Sequence, residues 1–600
     1  MFTPIYDLVR YTRLFKEYLG NRIYIIFLLG LFAAISEGIG ILMLLPLLET
    51  LESNPSKEQL DSISLIIFNA LEYLGIQPTI ISIIILIVCF FLFKGILTFM
   101  ALGFSAILIG NLLKELKTRL FNHYSVMNYD YYSQKNTGYF ANLINEQPNR
   151  ALESFRQLTV LAGQLVNTIV LMALAFLMTW EFGLMALIVG LVLIFLFIKL
   201  NNFVRNLSRI TATENGVLTK WLIQMLNGFK YLSSTSQINM LRPRIIKSIS
   251  VLTGNQVKSG VAAAFTQSIR EPLAVLFIMA VVIFQIYVFQ DNIEPILVSI
   301  VLFYRALNSV LAVQSSFQGT FQTIGSMELL EEEFINQREH TELDGSISLK
   351  DFRGKISLTD VCFSYPNSDS LILKNINISL STNDSIAIVG ESGSGKSTLL
   401  DIITLLQEPT SGAVRIDNNS GLDILKSSWR SQIGYVSQDT VIFNDTIANN
   451  ICMWSGDHQK DLNLLHRLEE SAEQANILEF INTLPNRFET QVGDRGLFLS
   501  GGQKQRLFIA REIFRSPKLL ILDEATSSLD TNSESEIQKS IERLKGKITL
   551  IVVAHRLSTI KNLDLIYVIK DGEIIESGNY TQLLSDSESY FRKMVNLQSL

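Results

Sequence analysis

Six apolar runs crowded into the first half of the chain, a strand-loop-helix phosphate motif at Gly390–Thr398, and a mean hydropathy of +0.30 predict a protein of two unlike parts. The first reads as an α-helical membrane domain of six spans with long helical extensions into the cytosol, and the second as an α/β P-loop domain. Six hundred residues exceed what one core organises, which also asks for at least two domains. The net charge of −6 gives no reason to expect nucleic acid as a partner. Cys89, Cys362 and Cys452 are far apart, with no metal spacing and no disulfide framework, and the five histidines form no ligand cluster. No cleavable signal is expected, because the first long apolar run follows amphipathic residues and lacks a small-residue cleavage pattern.

Residues 5–20 set Leu8, Tyr11, Phe15 and Leu19 at helical spacing with Arg10, Arg13 and Lys16 between them, as an interfacial helix on an anionic leaflet would. The apolar runs lie near 23–48, 79–110, 158–180, 183–200, 268–290 and 293–317, most of them able to cross ~30 Å of hydrocarbon. Basic residues such as Lys114, Lys117, Arg119, Arg205, Arg209 and Lys247 gather before the first span and in the segments after the second and fourth, so those segments belong in the cytosol. The opposite loops carry Glu49, Glu52, Glu58, Asp61, Glu181 and Asp291, which agrees with six spans and both termini inside. The two basic segments are too long for plain connections, and the turns at their far ends are expected near Tyr129–Ser133 and Leu226–Lys230. Aromatics exposed there would suit docking on another domain, whereas local packing is the plainer reading.

Ionisable residues inside spans are costly and mark function. Glu37 lies in the first span, Lys94 in the second and Arg305 in the sixth, with Arg270 and Glu271 at the entry of the fifth. Counting from the outer ends, Glu37 and Arg305 share a depth of roughly 16–18 Å and can pair, while Lys94 at ~22 Å and Arg270 are left without an obvious partner. A basic belt of this kind facing an internal cavity suits an anionic group such as a phosphate or pyrophosphate. Between the first two spans, Ile63, Ile66, Ile67, Ala70, Leu71 and Leu74 form the apolar stripe of an external helix, fit either to lie on the outer leaflet or to cap the bundle.

The domain boundaries read as 1–325 for the membrane part, 326–348 for a polar linker after the acidic end of the last helix, and 349–600 for the soluble part. Val361, Phe363 and Tyr365 alternate as a strand, leaving Tyr365 able to stack on a base. Gly390-Glu391-Ser392-Gly393-Ser394-Gly395-Lys396-Ser397-Thr398 fits G-x-x-x-x-G-K-[ST] in full. Its glycines let backbone N–H groups close on phosphates at a helix N-terminus, Lys396 adds charge for the β/γ oxygens, and Ser397 adds a hydroxyl for Mg²⁺. Gln438 ends a strand with an amide that reaches Mg²⁺ and water. Leu499-Ser500-Gly501-Gly502-Gln503 opens a helix with free N–H groups. The strand Leu519–Asp523 ends in Asp523, placed near Mg²⁺, and Glu524, suited to deprotonate an attacking water. Ser528, Leu529 and Asp530 follow, and a further strand ends in His555, whose imidazole can contact a γ-phosphate.

The order of these motifs resembles the nucleotide-binding domain of ABC transporters, with Leu499–Gln503 the most specific match, and the six-span half resembles the type IV exporter half-transporter. The likeness covers essentially the whole chain. It implies ATP and Mg²⁺, ATP hydrolysis coupled to transport, and a homodimer in which Ser500, Gly501, Gly502 and Gln503 of one copy close on ATP held by the other. It further implies ATP contacts from Tyr365, Gly390, Ser392 to Thr398 and Asp530, metal binding by Ser397, Gln438 and, through water, Asp523, catalysis by Glu524 with Gln438, and a switch role for His555. Val492–Gly496 resembles the family segment that meets the membrane half, and Ser528 stands where alanine is commoner. Intact acid and imidazole favour two identical copies. The basic residues, the Ile35–Gly40 segment and the external helix resemble flippases of lipid-linked oligosaccharides, implying an amphipathic, anionic, lipid-linked cargo moved from the cytosolic side of a bacterial inner membrane. Export of peptides or hydrophobic drugs by the same machinery is the alternative. A non-transporting ABC ATPase is disfavoured by the spans.

Overall fold

The computed structural model describes residues 10, 13, 16, 19–51, 62–73, 75–178, 180–284, 293–366, 368, 370–524, 531–554 and 557–598, though not every side chain among them. The interfacial helix expected over 5–20 therefore lies largely outside the described residues, as do Ser528, Asp530 and His555. The chain forms two compact units, Met1–Met127 with Tyr131–Thr341, and Asn128–Asp130 with Glu342–Leu600.

The first unit is helical throughout: α1 (Ile23–Leu42), α2 (Leu44–Leu51), α3 (Ser62–Tyr73), α4 (Ile80–Tyr124), α5 (Tyr129–Gln134), α6 (Thr137–Asn145), α7 (Gln147–Met178), α8 (Trp180–Asn227), α9 (Phe229–Ser234), α10 (Ile238–Ser268), α11 (Arg270–Phe284) and α12 (Ile293–Glu339). The 45 residues of α4 make a rod of ~68 Å, more than twice a bilayer's hydrocarbon, so its apolar part and its charged part need different solvents. Thr79 and Ser82 fix where it starts, through a reciprocal capping box. In its distal part Leu108, Leu112, Leu116 and Leu120 recur every four residues and bury one face against Leu143, Phe155, Leu158, Phe321, Ile324 and Leu330. Short helices α5 and α9 stand where the far turns were expected. Tyr129, Tyr132, Phe229 and Tyr231 are exposed there, but Tyr131 packs inward. Where α12 crosses α8 there is no room for a side chain: a Cβ on Gly325 would sit 2.7 Å from the Arg209 backbone.

Four helical stretches among the described residues are long and apolar enough to cross a membrane: Gly20–Leu48, Ile80–Tyr124, Thr137–Leu177 and Ile238–Met279. The runs at 183–200 and 293–317 form the first parts of α8 and α12 and are not among those four. Two local readings need correction. The stretch from 326, expected as linker, continues α12 to Glu339, because Met327, Leu330 and Phe334 stay buried in the bundle. The external helix α3 turns a different face inward. Ser64, Phe68 and Leu71 are buried, while Ile66 and Ala70 of the expected stripe are exposed, and Leu71 and Ile67 pack on Met43 and Ile83, the capping role.

The second unit carries strands β1 (Lys355–Phe363), β2 (Leu373–Ser381), β3 (Ser385–Gly390), β4 (Ser411–Ile416), β5 (Asn419–Ser420), β6 (Ile433–Val436), β7 (Leu519–Asp523), β8 (Thr549–Val553), β9 (Leu565–Lys570) and β10 (Glu573–Gly578). They form an antiparallel sheet of order β2-β1-β4-β5 and a six-stranded sheet of order β10-β9-β3-β8-β7-β6. In the second sheet β9, β3, β8, β7 and β6 run parallel, and β10 closes the edge antiparallel. Every residue of β3, β7 and β8 is buried, as continuous apolar strands covered on both faces must be. One core lies between the two sheets around Phe352, Trp429 and α13 (Lys396–Ile403); the other lies beneath α14 (Gly501–Phe514) and α15 (Thr531–Leu544). The parallel register sets Asp523 beside Val553 and brings the carboxyl ends of β3, β7 and β8 to one edge, where open α/β sheets place their ligands.

Candidate functional site

The loop between β3 and α13 is shaped by contacts that only glycine allows. A Cβ on Gly390 would meet the Ile569 carbonyl oxygen at 2.2 Å, and one on Gly395 would meet a Leu373 methyl at 2.8 Å. Gly393 and Gly395 have φ of +82° and +103°, so the chain can turn its N–H groups inward. Gly395 is the N-cap of α13 and no side chain caps that end, which leaves the first amides of the helix free for an anion. Lys396 is buried, and its Nζ donates to the carbonyls of Gly390 and Glu391 at 3.1 and 2.8 Å. Burial lowers its pKa, against the opposing pull of Glu524 and Asp523. Ser394 Oγ is buried without a hydrogen-bond partner. Tyr365 stacks edge-on to Phe363, shares a 3.1 Å hydrogen bond with Thr398 Oγ1 and leaves its ring exposed to solvent.

Asp523 closes the other side. Its Oδ2 accepts from the Tyr435 hydroxyl at 3.2 Å, Ser397 bonds to it as well, and its Oδ1 is buried with no partner. Burial pushes its carboxyl up, and burial with the nearby Asp523 charge pushes Asp401 up to about 6. The buried Asp523 with its orphaned oxygen, the half-buried Asp401 and a serine hydroxyl make an oxygen donor set that fits a hard divalent cation. Glu524 follows with φ of +51°, its N–H on the Val553 carbonyl at 2.9 Å. Gln438 Nε2 donates to Glu524 Oε2 at 2.7 Å, so the amide and the acid expected to share a role are in contact.

Ser500 caps α14 in a reciprocal box with Gln503, at 2.8 and 3.3 Å, with Gly501 exposed and Gly502 buried. Among the described residues no hydrogen bond or ion pair joins Ser500–Gln503 to Gly390–Thr398. Arg511, further along the same helix, was not singled out in the sequence. It is buried between Phe443 and Phe508, donates to Asn450 and Val441, and is pushed down to about 10 by burial. Its position in a basic-apolar helix gave no signal, since its carbonyl partners Asn450 and Val441 lie 61 and 70 residues away.

In the membrane unit Glu37 takes both cations that the sequence had separated. Its Oε1 accepts from Arg305 at 3.2 Å, as expected, while Oε2 accepts from Lys94 Nζ at 2.7 Å. The expectation of an unpartnered Lys94 is therefore wrong: a side chain as long as lysine's reaches down its own helix face to the acid. Glu37 is 3% exposed and each of its carboxylate oxygens takes one cation, so the three side chains sum to one formal positive charge. Glu37 and Lys94 line a cavity of about 790 Å³ whose polar side continues along α7 through Glu153, its ion-pair partner Arg156, Gln164 and Asn167, facing Ala33 and Ala101. Arg270 heads α11, but its side chain lies outside the described residues.

Residues 23–311 match the family model for the ABC transporter transmembrane region, and residues 373–527 match that for the ABC transporter. Over 83% of its length the chain is 32% identical to the ATP-dependent lipid A-core flippase of Pseudoalteromonas translucida, spanning 85% of that protein. The chain belongs to the ABC transporter family. This ABC half-transporter is also 31% identical to the heterocyst differentiation ATP-binding protein HepA of Nostoc sp., over 79% of the chain and 77% of that protein. Its fold follows that of a bacterial Atm1-family ABC exporter with ATP bound, at a TM-score of 0.75 and 22% identity over 98% of this chain and 99% of that one. Membrane and ATPase parts are fused in one multi-pass chain, so ATP hydrolysis is coupled to transport.

Proposed function

We propose that two copies of this ABC exporter form a homodimer of six spans each, with residues 1–325 as permease and 349–600 as ATPase, that moves an amphipathic, anionic lipid-linked substrate from the cytosolic side of a bacterial inner membrane. The observation that carries the cargo reading is the Glu37–Lys94–Arg305 cluster. A buried carboxylate holding two cations leaves one positive charge, at a cavity inside the membrane unit whose lining is apolar on one side and polar on the other. Relatives that carry the name lipid A-core flippase support the same reading.

In this reading the α13 amides and Lys396 hold the ATP phosphates, Tyr365 stacks on the adenine, and Ser500–Gln503 reach the nucleotide of the other copy. Ser397 and Gln438, with Asp523 through water, would hold Mg²⁺, which supplies neutralisation of charge on the phosphate oxygens. Glu524, fastened by Gln438, takes the proton of the attacking water. Asp530 and His555 complete the proposed set.

The test is ATPase activity of the protein in lipid nanodiscs against lipid-linked glycans, lipid A-type glycolipids, peptides and dyes, with Glu524→Gln as the inactive control. Anionic glycolipids should stimulate hydrolysis, and Lys94→Ala with Arg305→Ala should weaken that stimulation about tenfold while sparing the basal rate. Stimulation by peptides or dyes alone would sink the lipid reading.

A further inference from the structure

One acid in the phosphate loop has no part in the chemistry described so far. Glu391 follows the first glycine of the motif, in a loop whose function is to hold anions, and a carboxylate free to swing there would repel ATP. It is not free to swing. The Tyr590 hydroxyl donates to Glu391 Oε1, across 199 residues of sequence, while the Glu391 carbonyl accepts from Lys396 Nζ on the buried side of the loop. The phenol is aimed by a built support. Tyr590 begins α16 (Tyr590–Gln598), and Glu576 of β10 caps that helix: its carboxylate takes the N–H groups of Tyr590 and Phe591 at 2.5 and 3.1 Å and the Ser589 hydroxyl at 2.8 Å. Phe591 is fully buried and meets Tyr580 edge-on, so the first turn of the helix cannot rotate. Lys570 lies over the Tyr590 ring, 4.8 Å from its centroid, and adds positive potential on the same side.

We propose that Tyr590 is a positioning residue of the nucleotide site: the C-terminal helix uses its phenol to hold the Glu391 carboxylate out of the anion cradle, and this sets the affinity for ATP. The inference rests on the reading that Lys396 and the loop amides bind the phosphates. It makes the last helix of the chain part of the ATP site without touching the nucleotide.

The experiment is steady-state ATPase kinetics and direct ATP binding on the full-length protein in nanodiscs, for Tyr590→Phe, Glu391→Gln, the double variant and Lys396→Ala. Tyr590→Phe should raise the KM for ATP about three- to tenfold with kcat within about twofold, the net scale of one lost solvent-exposed hydrogen bond. Glu391→Gln alone should leave KM at or below the starting value. The double variant should return KM to near that value, because no carboxylate is left to restrain. An unchanged KM in Tyr590→Phe, a loss confined to kcat, or a raised KM that Glu391→Gln does not correct would each overturn the proposal. Undiminished ATP binding by Lys396→Ala would instead overturn the reading on which it rests.

Discussion

Asp401 shows what an acid sunk beside a second acid costs the fold. Burial and the charge of Asp523 raise its carboxyl from 3.8 to about 6, so between those values the folded chain holds a proton that the unfolded chain has lost. Stability from this group is thus full below pH 4 and is lost as pH rises through 6. Asp401→Asn removes the penalty. In nucleotide-free protein it should raise stability at pH 8 by at most about 3 kcal/mol, and by nothing measurable near pH 4. Thermal unfolding midpoints at the two pH values check this, and an equal shift at both would show that packing rather than charge is responsible. Beside a divalent ion, as proposed for this site, the same carboxylate would become favourable. At this scale the shape of the loop was legible, because Gly390 and Gly395 act through local backbone geometry that a nine-residue motif encodes. Arg511 and Tyr590 were not, because their partners lie 61 and 199 residues away.

Helix α12 shows the same limit for a whole element. Its acidic run, Glu331 to Glu333 after Glu328, reads as the end of the helix, yet three of these four acids are tied into the bundle. Glu328 is held by Arg205 and Arg209, Glu331 by Arg10, and Glu333 is fully buried, with Oε2 taking the hydroxyls of Tyr131 and Tyr139 at 2.7 Å each. Those donors come from α5 and α6, whose rings also pack around Phe140. Local pattern shows the acids but not the cations that pair with them or the phenols that donate to them, and the helix continues past the acidic run to Glu339. The cluster ties α12 to the far turn of α4, and its worth is testable. Tyr139→Phe leaves the ring in place and strands part of a buried charge, so it should cost about 1–3 kcal/mol. Glu333→Gln keeps the shape and loses the charge, and combined with Tyr139→Phe it should cost less than the sum of the two. Denaturation of the four proteins gives the cycle, and strict additivity would show that the carboxylate and the phenol do not act together.

At the scale of the whole molecule the decisive question is where a complete ATP site is assembled. Ser500–Gln503 cap their own helix and make no contact with the phosphate loop among the described residues, although each stretch presents helix N–H groups suited to phosphate. In the proposed homodimer a single copy would hold two half-sites that face different nucleotides, since an isologous pair completes both halves with one surface. Complementation tests it. Lys396→Ala disables the phosphate loop of a chain and Ser500→Ala disables its capping serine, so each variant alone should be inactive. In a mixed dimer, one site combines both lesions and the other has none. Coexpressed in equal amounts, the two inactive chains should recover roughly a quarter of the normal ATPase rate, because half of the pairs are mixed and each mixed pair has one intact site. No recovery in verified mixed pairs would place loop and cap of the same chain on one nucleotide. It would also uncouple the membrane cluster at Glu37 from any need for a second copy, leaving the transport reading to stand on the cavity of a single chain.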